Sequence, residues 1–347
     1  MELLDLLHGL RRAPWMGIGR HIVLRAGFDT ARGYERTVGA ILAEKEDSSK
    51  IKLLANGLTE HLVAGEKLIQ LVRLEGKDRN VLQNWIRTKR RHSNALTDAF
   101  PGVAPKSAVV TFRDQPVTSV GSVDLEVGAA ALFTASRNYV ETVDVPPSRL
   151  KAGAAEGFEK LVGYQRVYMQ TYEAVWLPPQ GDYACIAVDL PRGIPKSFAQ
   201  ASADALHHAV RQQLGHQLKL LNFWPAVYGL YLASDGKLVD YGFSVAGQSV
   251  NHHKARRRSE CLRKAVYDAA GAKAVAAAGD ELELFKVAMQ WQLKQTDGVL
   301  VEPEVLVPGV AADLNKAMPI VNHVILRDCL TTRDLEFVVS KLAPHVK

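Results

Sequence analysis

Cysteine is scarce and badly placed for bonding: 347 residues hold three, Cys185, Cys261 and Cys329. They are far apart, odd in number and form no Cys-x-x-Cys pair, which argues against a disulfide framework or a thiolate zinc site. Reduced thiols in a cytoplasmic protein are the expectation. Long apolar runs are missing too. No stretch approaches the roughly 20 residues of a bilayer-spanning helix, so no membrane partner is expected. The first residues carry Glu2 and Asp5 where a signal peptide carries positive charge. They read as a short amphipathic helix packed on the body.

Familiar catalytic signatures are absent as well. There is no GxxxxGK[ST] phosphate loop and no GxSxG nucleophile elbow. Gly17-Ile18-Gly19 lacks the third glycine and the preceding strand of a dinucleotide site, so no cofactor is expected. His207 and His208 are adjacent and His216 lies eight residues further on, whereas ligands on one helix face need i, i+3 or i+4 spacing. Asp124 and Glu126 lack the following lysine of a restriction-type nuclease site. Whether the chain is an enzyme stays open at this point.

What is present is an ordinary globular mixture, 47% hydrophobic and 23% charged, with a net charge of +6. Core formation is affordable for such a chain, and an unfolded one is excluded. The pattern predicts an α+β fold: a mainly antiparallel sheet built from hairpins, with flanking helices and a helix-rich C-terminal part. Tyr172–Leu177 and Tyr183–Leu190 read as strands around a Pro-Pro-Gln-Gly turn, a helix starts near Ser197, and Val227–Ala233 and Leu238–Val245 read as a second hairpin around Asp235-Gly236. The result is a hairpin-helix-hairpin core over 172–246. Ile22–Leu24, Leu68–Leu74 and strands within 106–145 also look extended, while Tyr34–Glu46, 78–100, 253–277, 280–295 and Thr332–Leu342 look helical. Residues 51–65 are ambiguous, because Asn56-Gly57 suits a turn. Residues 1–105 form an N-terminal α/β segment with a basic helix and 106–347 the core, either as one unit or as two domains divided near 101–105 or 146–157.

The positive charge is clustered. Arg87, Lys89, Arg90, Arg91 and His92 fall on the predicted helix whose apolar stripe is Leu82, Trp85, Ile86 and Leu96, and Arg87, Arg90, Arg91 and Asn94 fall mostly away from that stripe. His252, His253, Lys254, Arg256, Arg257 and Arg258, followed by Arg263 and Lys264, open a second predicted helix. Arginine's planar fork suits phosphate, and each neutralised phosphate releases counterions. Two arginine-rich helices sharing a side would make a stripe for nucleic acid. A charge run is more often only a solvated face. Arg87 and His92 also match the R-x4-H spacing of a family of small helical ribonucleases, whose bundle the rest of the chain does not resemble.

The expectation is therefore a cytoplasmic DNA- or RNA-binding protein acting through arginine-rich helices. One alternative is a metal-dependent or histidine-based nuclease or hydrolase whose site is assembled from scattered residues such as His252 and His253. Another is a non-catalytic subunit, or a homo-oligomeric scaffold, of a bacterial complex, a defence complex being one version; alanine-rich 269–278 suits a GC-rich bacterial source.

Overall fold

The computed structural model describes residues 2–346 except Asp114, Ala152, Ala155, 246–248, Arg258 and Ser259. The chain begins with four helices, α1 (Leu3–Gly9), α2 (Arg20–Arg25), α3 (Tyr34–Ala43) and α4 (Ser48–Ala64). Leu6, Leu7, Ile22, Ile41 and Leu54 close a core of their own between them. The segment 22–24, expected to be extended, lies in α2. Asn56-Gly57 is no turn either. The Asp47 side chain caps α4 by accepting from Ser49 N (2.8 Å), and a Cβ on Gly57 would come within 3.0 Å of Ile22. That glycine lets two helices approach, a role its turn-forming reputation hides.

The sheet has ten strands in the order β2-β3-β4-β5-β1-β12-β11-β8-β6-β7, and every paired neighbour is antiparallel. Strand β1 (Lys67–Arg73) lies in the middle. After it come α5 (Asp78–Thr88), α6 (Ala95–Asp98) and α7 (Lys106–Thr111). Next are β2 (Thr118–Asp124), β3 (Ala129–Asp144), β4 (Val162–Leu177) and β5 (Tyr183–Asp189). Helices α8 (Ser197–Leu214) and α9 (Trp224–Leu232) lead to the hairpin β6 (Lys237–Val245) and β7 (Ser249–Lys254). Then follow α10 (Val266–Ala277), β8 (Leu282–Gln290), the two-residue strands β9 (Leu293–Lys294) and β10 (Leu300–Val301), β11 (Glu304–Val307), β12 (Val324–Arg327) and α11 (Thr332–Leu342). No helix among the described residues is long and apolar enough to cross a membrane.

Two cores sandwich the sheet. Helices α4, α9 and α11 bury Leu62, Val227, Leu230, Leu335 and Val338 on one face, against Tyr172, Trp176 and Val324. Helices α5 and α8 bury Leu82, Ile86, Leu206 and Val210 on the other, against Leu68, Val175 and Ile186. Each such side chain stabilises the fold by about 2 kcal/mol through burial. Helix α8 stops at Gly215, whose φ of +77° is the left-handed cap that glycine adopts without strain.

The α+β reading with a mainly antiparallel sheet holds, and several elements differ. The expected second hairpin strand, 227–233, is helix α9, which starts with Pro225 in its first turn. Residues 282–290 form a strand although Leu, Glu, Lys, Ala, Met and Gln favour helices, because pairing on both sides with β6 and β11 overrides that preference. Residues 106–111, rich in β-branched residues, are helix α7. The C-terminal part mixes helices with strands. Residues 101–105 link α6 and α7, and 146–157 lie at the far end of the long β3–β4 hairpin.

Candidate nucleic-acid interface

The two basic clusters lie beside opposite edges of the sheet. The Arg87–His92 run does not stay helical: α5 ends at Thr88, and 89–93 runs extended beside β2, where His92 N donates to Ser119 O (2.9 Å) and Ser119 Oγ donates to Arg90 O (2.8 Å). The helical frame that would hold Arg87 and His92 in an R-x4-H motif is therefore absent. Residues 252–254 belong to β7 and not to a helix start, because they pair with β6 through Gly242↔His252 and Tyr241↔His253. Helix α10 begins only at Val266. Nine inter-strand spacings of about 4.8 Å lie along the sheet between the two edge strands. The two clusters do not form one groove.

Within the first cluster, Arg87, Arg90, Arg91 and His92 are exposed, whereas Lys89 is half-buried with its ammonium over the rings of Trp85 (4.8 Å) and Phe133 (5.3 Å). Burial lowers the Lys89 pKa. That lysine packs on the protein itself. In the second cluster Arg263 is also committed internally. Its guanidinium donates to Leu230 O and Tyr231 O at 2.9 Å and to Gly236 O at 3.3 Å, filling the carbonyl end of α9. Lys254, Arg256, Arg257 and Lys264 are exposed and, among the described residues, have no carboxylate partner. Arg258 lies outside the described residues.

Strand alternation sends His252 and His253 to opposite sides of β7. His252 meets the edge of Phe285 (5.3 Å between rings). His253 points into a hollow of about 190 Å³ beneath α10, walled by Tyr241, Phe243, Asn251, Tyr267 and Asp268. Its ring lies 5.3 Å from Tyr241, 5.2 Å from Phe243 and 5.6 Å from Tyr267. Nδ1 of His253 is 2.5 Å from Asp268 Oδ1, and the Tyr241 hydroxyl donates to the same oxygen at 2.7 Å. Burial and that carboxylate push the Tyr241 pKa up, so the phenol keeps its proton. Tyr267 is 76% exposed and offers an open ring face. The chain matches no protein-family model, none of the curated proteins and none of the solved structures it was compared with.

The site combines an aromatic-walled hollow, a hydrogen-bonded His-Asp-Tyr set and, where β7 ends, exposed cations that have no carboxylate partner among the described residues. Tyr241, Phe243, Tyr267 and Asp268 were not singled out from sequence. A hairpin pairing of 237–245 with 249–254 was the missing signal, since it sets His253 opposite Tyr241.

Proposed function

We propose that the chain binds single-stranded nucleic acid along the β7 edge, with the backbone on Lys254, Arg256 and Arg257 and one base against Tyr267 and His253. The observation that supports it most is an aromatic-walled hollow with the exposed Tyr267 ring on the edge strand that leads into Lys254, Arg256 and Arg257. Stacking on exposed rings plus a cationic track is how single strands are held without sequence readout. The free cysteines suit a reducing, cytoplasmic setting. Fluorescence anisotropy with labelled single-stranded RNA and DNA tests the reading. Replacing Lys254, Arg256 and Arg257 together with alanine weakens binding at least about tenfold at low salt and reduces the log–log salt slope by about 2. Tyr267→Ala costs about 1–3 kcal/mol of binding and leaves folding intact. No binding at low salt, or unchanged binding in both variants, defeats the proposal.

The His253–Asp268 contact supports a second reading, metal-independent RNA cleavage with His253 as general base. Cleavage of labelled RNA in the presence of a chelator, abolished by His253→Ala, distinguishes catalysis from passive binding.

A further inference from the structure

The opposite face of the sheet carries a second hollow, separate from the His253 pocket. Helix α8 does not seal against the strands along its whole length. Between it and β1 and β12 lies a cleft of about 440 Å³, lined by Leu68, Gln70, Lys196, Asp204, His207 and His323 among others. A shallower hollow of about 390 Å³ continues it past His208 and Arg211, sharing Asp204, His207 and Leu220. The volume is in the range of small-ligand sites.

Its floor is polar and unsatisfied. Gln70 is only 6% exposed, yet its Oε1 has no hydrogen-bond partner among the described residues. The register Ile69↔Val324 makes His323 its cross-strand neighbour. His323 Nδ1 lies 3.2 Å from Asn322 Oδ1, which places the ring proton there and leaves Nε2 as a buried acceptor with no partner. Burial, and then the charge of Lys196, hold the His323 pKa down to about 4, so the ring is neutral at pH 7. His207 Nε2 is a third buried polar atom without a partner among the described residues. An orphaned buried polar group costs about 1–3 kcal/mol, and Gln70, His207 and His323 all line this one cleft.

The rim adds charge. Lys196 has no carboxylate partner among the described residues, and burial and then Lys286 lower its pKa. Beside it Ser197 opens the 18-residue helix α8, whose positive end favours anions. The first-turn N–H groups of Phe198 and Ala199 already reach Pro195 O and Lys196 O, so the lysine and the Ser197 hydroxyl are the available donors. Further along, Asp204 Oδ1 accepts from Gln200 (2.8 Å) and keeps further acceptor capacity.

A ligand satisfying these groups needs an anionic end for Lys196, hydroxyls for Asp204, and N–H donors for Gln70 Oε1 and His323 Nε2, on a body that packs against Leu68, Ala203 and Leu220. We propose that the α8 cleft binds a nucleoside monophosphate whose base carries an exocyclic amine, with the amine on Gln70 and His323 and the phosphate on Lys196.

Isothermal titration of the full chain with adenosine 5′-monophosphate, inosine 5′-monophosphate, adenosine and ribose 5-phosphate tests this. The adenylate binds with a Kd below about 1 mM. Inosinate, which has a carbonyl in place of the amine, and adenosine, which lacks the phosphate, each bind at least about tenfold more weakly. Gln70→Leu lowers adenylate affinity at least about tenfold while its melting temperature holds or rises, since an orphaned amide is replaced by a methyl-bearing side chain. Lys196→Ala, a change at the rim, reduces adenylate binding to the adenosine level and leaves adenosine binding alone. Absence of adenylate binding by the folded protein, equal binding of inosinate, ribose 5-phosphate binding as well as adenylate, or full affinity in Lys196→Ala each overturns the proposal.

Discussion

Lys67 and Lys254 sit on strands of the same sheet and do opposite things with one charge. Lys67, on the central strand, has 1% of its side chain exposed. Its ammonium donates to Asp189 Oδ1 (2.5 Å) and to Tyr172 O (2.7 Å). Asp189 is held from the other side by Arg12 and by Tyr172 N at 2.8 Å. Burial raises the Asp189 pKa, but Lys67 and Arg12 outweigh it and keep the carboxylate ionised. Lys254, on the outermost strand, is exposed and has no such partner among the described residues. A charge that the fold has neutralised is a structural part, and one left unneutralised at a rim is available to a partner. Counting basic residues cannot separate the two, because Lys89 and Arg263 count equally with Arg256 although both are used internally.

The largest way to sharpen this contrast is Lys67→Met. It leaves Asp189 buried with Arg12 as its remaining cation, and removing one member of a buried pair costs about 3–5 kcal/mol. Urea unfolding shows the loss, while the folded fraction retains the affinity for single strands that the parent has. Stability unchanged within about 0.5 kcal/mol would show that the central charges are not the structural ones.

Next in size is a pH effect at the centre. His61 is fully buried, with Nδ1 2.9 Å from Cys329 O. Burial, with the nearby Lys67 charge adding to it, lowers its pKa to about 4. The unfolded chain therefore takes up a proton that the folded ring refuses, and this contribution to stability is lost as pH falls from about 6.5 toward 4. Between pH 7 and 4.5 the parent should lose about 2–3 kcal/mol more than a His61→Gln variant. Parallel urea curves at the two pH values check the difference, and identical losses would refute the assignment.

Much of the centre was legible in the sequence, and much of the edge was not. The runs that became β1, β5, β6 and α11 carried clear alternation or helical periodicity. Tyr164, Tyr168, Tyr172 and Trp176 recur every four residues, a spacing that fits one helix face and one strand face equally; they lie on β4. The apolar run 227–232 hid a helix, since Val227 and Leu230 are buried while the exposed positions Tyr228 and Leu232 are apolar too, so no polar face marks the helical period. The His253 site was illegible for a different reason. Its members come from β6, β7 and α10, and only the hairpin register and the return of α10 bring Asp268 to His253. Gln70 and His323 likewise lie far apart in sequence and meet only through the β1–β12 pairing.

The smallest predicted effect tests the comparison between the two edges directly. Arg87, Arg90 and Arg91 are exposed, as Arg256 and Arg257 are, but no aromatic hollow is described beside them, and the adjoining rings of Trp85 and Phe133 already hold Lys89. Replacing all three with alanine removes general attraction for a polyanion without removing a stacking site. Single-strand affinity should then fall by less than about threefold at 150 mM salt, where charges farther than about 8 Å from the strand are screened. The same three-residue change on the β7 edge costs at least about tenfold at low salt. Measured under one buffer, equal losses from the two triple variants would mean that net charge alone drives binding. A larger loss at Arg87, Arg90 and Arg91 would move the interface to the β2 edge and leave the His253 hollow free for catalysis alone.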